Sequence, residues 1–289
     1  MRILLLLLML TLQANNISAQ LNTENEPGCL EKCNHAHLSS RAPQALYYQY
    51  PSMDKYDVKY LKLDLAAEAG SRFISGKSTT TALVIQALDS FIIEFKNNMI
   101  LDSVYINGVK KAFTRNADHI YVTLSPALQA GTTITASFYY YGTASSNAVY
   151  AGTVASNGLT YTATLSESYQ AREWFPVKQS LSDKIDSADI WVKTSSINKV
   201  GSNGLLVAVV DSPNNKKQYQ WKTKYPMNYY LPSISIGNYL DYTNYAKPAE
   251  MAPDSIPVLH YIVNNTSYFN SQKANLDKTP AFIEKYSEL

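Results

Sequence analysis

The residues best placed to do chemistry lie in the segment at positions 165–192. Glu167 precedes Arg172 by five residues, and Arg172 belongs to the run AREWFP, which ends in two aromatic residues and a proline. A loop carboxylate can hold a cationic group through a charge-assisted hydrogen bond. It can equally be solvated or form an ion pair with Arg172, and the residue types alone leave these interpretations open.

Catalytic motifs of the common hydrolase classes are missing from the sequence. No His-Glu-x-x-His segment, which supplies two zinc ligands and a general base in one class of metallopeptidases, occurs in the 289 residues. The histidines are at positions 35, 37, 119 and 260, and none is followed by glutamate. No Gly-x-Ser-x-Gly segment for a serine nucleophile occurs either. We therefore predict neither catalytic residues nor metal ligands in this chain.

Cys29 and Cys33 are the two cysteines, and with His35 and His37 they form Cys-x3-Cys-x-His-x-His. Thiolate and imidazole groups of this kind can hold zinc. Structural zinc sites usually separate their ligand pairs by a loop, whereas these four residues are crowded together. We favour a local disulfide, which fits an oxidising compartment, or two free thiols, and the pairing of the two cysteines stays open.

Composition and the N-terminal segment limit the partners and the cellular compartment that we predict for the protein. Charged residues make up 17% and the net charge is +2, so nothing favours nucleic acid or an anionic membrane surface as a partner. Arg2 is followed by an apolar run at positions 3–12 and by the small residues Ser18 and Ala19. This pattern predicts a signal peptide at residues 1–19, a secreted or periplasmic protein, and no membrane span after cleavage.

Short alternating runs rich in Tyr, Thr, Val and Ile dominate the chain after position 55 and predict β-strands. In the first run we expect Val58, Tyr60, Leu63 and Leu65 to face the core, with one slip in the alternation. The predicted strands cover positions 56–66, 73–87, 89–96, 102–108, 119–125, 133–142, 189–194, 205–210, 219–224, 231–236 and 256–263.

Turn signals and one helical pattern complete this prediction. Asn107-Gly108 is a strong signal for a hairpin, and Asn214-Asn215 also indicates a turn. The residues from Thr279 have helical spacing, with Pro280 in the first turn. The sequence predicts a mainly β protein, an antiparallel sandwich or saddle, with a short C-terminal strand and helix.

Several of these runs, together with AREWFP, resemble the beginning of the aminopeptidase N-type zinc metallopeptidases, the gluzincin aminopeptidases. The runs occur in the family's order and are YDVKYLKLDL, FISGKSTTTALVI, LDSVYING, VGSNGLLV, YQWKTKYPMNYYLPSISIGNY and IPVLHYIV. The resemblance implies an N-terminal β-saddle domain at residues 46–247, behind a flexible lead at residues 20–45. Residues 248–289 would then begin a catalytic domain that is truncated before its zinc motif.

The resemblance also implies a role for one residue of the loop. In this family a carboxylate of the first domain holds the free α-amino group of the peptide substrate, and Glu167 matches that carboxylate by its position before Arg172. Leu165 stands where the family has a polar residue. After AREWFP the family has an acidic residue and a proline that are missing at positions 177–182, which puts the local turn in doubt.

The function implied is that of the N-terminal part of a secreted zinc aminopeptidase, which removes residues from the N-terminus of peptides. Whether this chain is itself an enzyme stays open, because it lacks the zinc and general-base residues. We expect zinc only in the complete family member, and peptide substrate as a partner only through the missing catalytic domain.

An alternative function is that of a non-catalytic secreted β-sandwich that binds peptides or glycans. The tyrosines at positions 139–141 could provide an aromatic surface for a sugar. The same residues would serve equally well in strand packing.

Overall fold

The computed structural model describes residues 50–289, all of which belong to one compact unit. Their secondary structure consists mainly of β-strands, and nearly all neighbouring strands are antiparallel. The predicted fold class is therefore confirmed. The predicted signal peptide, the flexible lead, Cys29 and Cys33 lie outside the described residues.

The largest sheet has eight strands. They are β1 (Tyr56–Ala67), β2 (Phe73–Val84), β4 (Met99–Ile106), β5 (Val109–Lys111), β8 (Thr133–Thr143), β11 (Ser187–Ser195), β13 (Leu205–Ser212) and β14 (Lys216–Thr223). Across the sheet their order is β13-β14-β11-β1-β2-β8-β4-β5. β1 and β11 run parallel, with Leu63 opposite Ile190, and the other neighbours are antiparallel.

Three smaller sheets and several helices complete the described part. One sheet contains β3 (Leu88–Glu94), β7 (His119–Leu128) and β6 (Thr114–Asn116), and another pairs β16 (Tyr239–Ala246) with β17 (Ile256–Val263). The four-stranded sheet contains β12 (Lys199–Ser202), β15 (Ile234–Gly237), β10 (Thr160–Thr164) and β9 (Val149–Thr153). The helices are α1 (Thr266–Leu276) and α2 (Thr279–Ser287), with 3-10 turns at Pro51–Lys55, Ala171–Glu173 and Ala249–Met251.

The slip predicted in the first strand is a β-bulge. The register of β1 against β2 shifts between Val58 and Tyr60, so Leu61 rather than Tyr60 is buried with Leu63. The prediction that Tyr60 faces the core is therefore wrong. Because a bulge inserts one extra residue, it reverses the side on which the following side chains lie. Tyr60 instead donates from its hydroxyl to Asp189, with an O–O distance of 2.7 Å.

Both predicted turns are present, and their backbone angles explain the residues used. Asn107 has φ 49° and Gly108 has φ 79° between β4 and β5, the positive values that a primed two-residue turn requires. Asn214 and Asn215, at φ 63° and 54°, connect β13 to β14. Asparagine tolerates this left-handed region better than most residues.

The core is rich in aromatic side chains. Tyr56 and Phe91 stack with ring centroids 4.7 Å apart, and the Tyr56 hydroxyl donates to the carbonyl of Ile92 at 2.7 Å. A buried tyrosine needs such a partner, because an unpaired hydroxyl is costly in an apolar interior. The largest fully buried side chains include Trp174, Tyr56, Tyr229, Phe91, Phe95, Phe138 and Phe175.

The C-terminal part contains one helix more than the sequence predicted. α2 is confirmed, whereas α1 was missed; its N-cap Asn265 accepts a hydrogen bond from the backbone N–H of Tyr268 at 3.0 Å. The predicted boundary between residues 247 and 248 lies in the connection of β16 to β17, which pair with each other. That boundary stays a prediction. None of the described helices has the length and apolar character needed to cross a membrane.

A substitution at Gly76 can test how closely β1 and β2 approach each other. It has φ +150°, and a Cβ atom at this position would lie 2.2 Å from the carbonyl oxygen of Asp64. We expect Gly76→Ala to lower the free energy of unfolding by at least about 2 kcal/mol, because both the clash and the backbone angle are unfavourable.

Gly152→Ala in β9 is the matched control. A Cβ atom there meets nothing within 4 Å, so its effect should stay within about 0.5 kcal/mol. Urea unfolding followed by tryptophan fluorescence measures both variants. Equal stability of the two would contradict the packing described here.

Candidate functional site

Glu167 lies on an exposed loop between β10 and the 3-10 turn Ala171–Glu173. The Glu167 side chain is exposed, as is that of Leu165, whereas Ser166 between them is buried. The loop therefore presents a carboxylate and an aliphatic side chain to solvent. The peptide bond between Glu167 and Ser168 is cis.

The backbone of this loop is fixed by buried partners on both sides of Glu167. Trp174 donates from Nε1 to Ser166 Oγ at 2.8 Å, and Tyr229 donates from its hydroxyl to the carbonyl of Ser168 at 2.7 Å. The N–H of Gln170 closes the loop onto the carbonyl of Ser166 at 3.1 Å. Trp174 and Tyr229 are fully buried. Because the backbone is already fixed, a ligand that binds the Glu167 carboxylate has to order only the side chain.

Beneath the loop, Arg172 belongs to a buried charged network. Its guanidinium donates to Glu94 Oε2 at 2.9 Å and lies 3.9 Å from Asp118. Next to it, Lys96 pairs with Glu173 at 3.1 Å. Arg172 and Glu94 are both buried, and charges in such surroundings persist only when they are paired. These contacts give Arg172 a structural role.

Gln179 completes the network from the segment that differs from the aminopeptidase pattern. Its side-chain oxygen accepts from the N–H of Arg172 at 3.2 Å, and its Nε2 donates to Glu94 Oε2 at 3.0 Å. Lys178, next along the chain, pairs with Asp183 at 2.6 Å and donates to the carbonyl of Tyr56 at 2.7 Å. The segment that the sequence left in doubt is thus held in place, with positions 177–180 buried and Leu181 and Ser182 exposed.

The surroundings of Glu94 change its ionisation. Burial raises the pKa of Glu94 from 4.5 to about 7, although the positive charge of Arg172 and the hydrogen bonds from Arg172 and Gln179 act in the opposite direction. The second carboxylate oxygen, Oε1, has no hydrogen-bond partner in the described part of the chain. Burial likewise raises the pKa of the Tyr229 hydroxyl, which keeps it protonated as a donor to Ser168.

The described residues do not supply a metal-binding set. Between residues 50 and 289, no group of three or more His, Cys, Asp or Glu side chains could hold a metal ion. His260 shares a hydrogen bond with Asn244 at 3.1 Å, and His119 is buried against the ring of Tyr50 with centroids 4.5 Å apart. Both histidines contribute to packing. The residues between 50 and 289 therefore offer no ligand set that fits zinc.

Sequence reasoning placed Glu167 and Arg172 in one segment but missed the residues that fix them. Glu94 and Tyr229 lie 78 and 61 residues from their partners Arg172 and Ser168. A signal for Glu94 was present, since it is a carboxylate at the end of the apolar run FIIEF in β3. A charged residue at the end of a buried strand indicates a paired charge.

Titration of Glu94 can be measured through protein stability. Between pH 4.5 and about 7 the folded chain retains a proton that the unfolded chain has released, so the free energy of unfolding falls as the pH rises. We expect Glu94→Gln to remove this contribution to the pH dependence of the free energy of unfolding. Urea unfolding at several pH values between about 5 and about 7 measures it.

Glu288→Gln is the control, because Glu288 forms an exposed pair with Lys285 at 2.8 Å. It should retain the part of the pH dependence that comes from Glu94. If Glu94→Gln retains the parent slope, the pKa of Glu94 is not raised.

Comparison with known proteins gives one family match. Residues 48–231 match the family model of the Peptidase M1 N-terminal domain. No curated protein matches the chain in sequence.

Solved structures of M1 zinc metallopeptidases share the fold. The enzyme from Deinococcus radiodurans has a TM-score of 0.62 at 20% identity, over 73% of this chain and 48% of its own. Two variant structures, one from the same organism bound to Tyr-Ser-Ala substrate and a two-domain form bound to L-arginine, each have a TM-score of 0.61 at 19% identity, with the same coverage. The chain spans about half the length of these metallopeptidases.

Proposed function

The chain belongs to the Peptidase M1 N-terminal domain family, and from this premise we propose that it is the part of a secreted zinc aminopeptidase that binds the substrate amine. The zinc ion and the general base of that enzyme lie, in this proposal, outside residues 50–289, and the chain alone is inactive. Residues 1–19 direct its export, which N-terminal sequencing of the exported protein would test by a start at Gln20.

The observation that carries this proposal is the exposed carboxylate of Glu167 on a loop held by buried partners. Glu167 is exposed, while Ser166 and Ser168 on either side are bonded to Trp174 and Tyr229. A peptide ammonium facing this carboxylate would form a charge-assisted hydrogen bond. A blocked or internal peptide nitrogen would bring no positive charge, and the enzyme would therefore select free N-termini.

The buried network below the loop supports the same role. The positive charge of Arg172 lies beside Glu94 and Asp118, at 2.9 and 3.9 Å. Gln179 fixes the backbone of Arg172 and donates to Glu94. Since these charges are engaged in the interior, the carboxylate of Glu167 is left for a cationic ligand.

Substitution of Glu167 tests the proposal in the complete protein that contains this reading frame. We expect Glu167→Gln to lower kcat/KM for a free tripeptide such as Tyr-Ser-Ala by roughly 10- to 100-fold, the loss of one charged hydrogen bond. Activity of the parent should also fall above about pH 8, where an α-amino group loses its proton. Peptide hydrolysis followed by chromatography measures both effects.

Glu250→Gln is the matched control, because Glu250 is also an exposed glutamate, in the 3-10 turn Ala249–Met251. It should retain the parent kcat/KM. The amine-binding role is wrong if Glu167→Gln equals this control, or if the N-acetylated tripeptide is hydrolysed as fast as the free one.

The alternative of a non-catalytic binding protein rests on a different surface. Tyr139 and Tyr141 are 41% and 42% exposed on one face of the large sheet, whereas Tyr140 is buried on the other. Tyr105 packs edge-on against Tyr139 at 5.5 Å, and the ammonium of Lys77 lies 5.7 Å from the same ring. Binding of oligosaccharides by this chain, lost in Tyr141→Ala, would favour that function.

A further inference from the structure

Five connections between strands surround a pocket of about 410 Å³. They are the turns after β1, β9 and β11, the junction of β15 with β16, and the end of β17. Clefts of about 300 to 1,000 Å³ are the usual sites for small molecules in proteins. No residue of the Glu167 loop lines this pocket, so it is a separate candidate site.

The carboxylate of Glu68 holds the lining of the pocket in place. One of its oxygens accepts from Lys216 at 2.7 Å, and the other accepts from the Thr194 hydroxyl and from the N–H of Ser195, both at 3.0 Å. The Thr162 hydroxyl donates to the carbonyl of Glu68 at 2.9 Å. The turns after β1 and β11 are thus joined to each other before a ligand binds, and such preorganisation lowers the cost of binding.

The lining contains a single charged side chain, that of Glu68, and its charge is balanced. Burial raises the pKa of Glu68, but the hydrogen bonds from Lys216, Ser195 and Thr194 outweigh burial and lower it, so the carboxylate is ionised. An anion in the pocket would be repelled by this carboxylate. A cation would have to compete with the ammonium of Lys216, which is already paired with it. The pocket therefore suits a neutral ligand.

Asn198 has an unused acceptor in this lining. The residue lines the pocket, although only 6% of its surface is exposed. Its Nδ2 donates to Glu68 and to Thr194, at 3.4 and 3.2 Å, whereas its Oδ1 accepts no hydrogen bond from residues 50–289. Buried polar atoms are ordinarily hydrogen-bonded, so a donor group of a ligand would satisfy this oxygen.

Two exposed asparagines of the lining add unused donors. Asn157 accepts at Oδ1 from the N–H of Leu159 at 3.0 Å, and Asn238 accepts at Oδ1 from Asn264 at 3.1 Å. In the described part of the chain, Nδ2 of neither asparagine donates to a partner. The lining therefore offers both donors and acceptors to a ligand.

A ligand that matches this lining is neutral, carries groups that both donate and accept hydrogen bonds, and has some apolar surface. Hydroxyl groups can both donate and accept. The C–H groups of a sugar ring can pack against Leu159, Ile197 and Val263, which also line the pocket. We propose that the pocket binds a neutral sugar, either free or at the end of a glycan chain.

Each polar group of the lining has a defined role in this site. Sugar hydroxyls donate to Asn198 Oδ1 and to the carboxylate of Glu68, while Nδ2 of Asn157 and Nδ2 of Asn238 donate to sugar oxygens. The pocket shares no residue with the loop that follows β10 or with the exposed tyrosines of the large sheet. The proposal therefore does not depend on the proposed function.

Saturation-transfer NMR with the full-length protein tests the class of ligand, at sugar concentrations of about 1 to 10 mM. We expect transfer to at least one of glucose, galactose, mannose and N-acetylglucosamine. The charged analogues of the sugar that binds, such as glucuronate and glucosamine for glucose, should bind more weakly. The ratio of the affinities for the sugar and for its disaccharide separates a free sugar from a chain end. Absence of transfer to every neutral sugar, or equal binding of the charged analogues, would overturn the proposal.

Isosteric substitutions test the position of the site. Asn157→Asp and Asn238→Asp keep the oxygen that accepts the existing hydrogen bond and remove the donors, so the double variant should bind the sugar at least about tenfold more weakly. Asn107→Asp is the matched control, because Asn107 is an exposed asparagine whose Oδ1 accepts from the N–H of Thr135 at 2.8 Å. It should retain the parent affinity.

Two results of this second test would contradict the proposal. One is a double variant that binds the sugar as well as the parent protein does. The other is loss of binding in Tyr141→Ala, which would assign the sugar to the tyrosine surface of the large sheet. Circular dichroism confirms that each variant is folded.

Discussion

The buried contact between Glu94 and Arg172 is the interaction on which the architecture around the Glu167 loop depends. Glu94 ends β3, and its backbone exchanges two hydrogen bonds with Val177, at 3.0 and 2.9 Å. The N–H of Lys96 donates to the carbonyl of Arg172 at 2.8 Å. Backbone and side-chain bonds thus attach one sheet to the turn that follows the loop. Removal of either charge would leave the other buried without its partner, which is why such pairs tolerate substitution poorly.

The alternation of apolar and polar residues predicted most of the strands. Most strands are half-buried, so successive side chains lie alternately in the core and in solvent. β17 begins and ends where it was predicted, at Ile256 and Val263. α1 was missed because its apolar residues do not form a clear stripe, and no residue in it is buried. β16, YLDYTNYA, was missed because its tyrosines lie three residues apart and its apolar and polar residues do not alternate with period two. These elements form through contacts that lie outside their own sequence.

At the candidate site, the sequence predicted the exposed residue but not the contacts that fix its loop. The resemblance to a known family pointed to Glu167, and its exposure agrees with a binding role. The residues that hold its loop come from distant parts of the chain, with Tyr229 bonded to Ser168 across 61 residues. No spacing within one segment encodes such a contact. A motif can therefore point to a candidate binding residue, while the residues that fix its position emerge only from the fold.

Gln179 lies in the segment after AREWFP, where the resemblance implies an acidic residue that this chain lacks. A carboxylate at position 179 could accept from the N–H of Arg172, but it would lie about 3 Å from the carboxylate of Glu94 and repel it. The amide of Gln179 accepts that same bond and also donates to Glu94 at 3.0 Å. Gln179 thus bridges the backbone of Arg172 and the side chain of Glu94, which itself accepts a hydrogen bond from the Arg172 guanidinium. This bridge connects the end of β3 to the turn that follows the loop presenting Glu167, so the position of that loop depends on a contact that spans 85 residues.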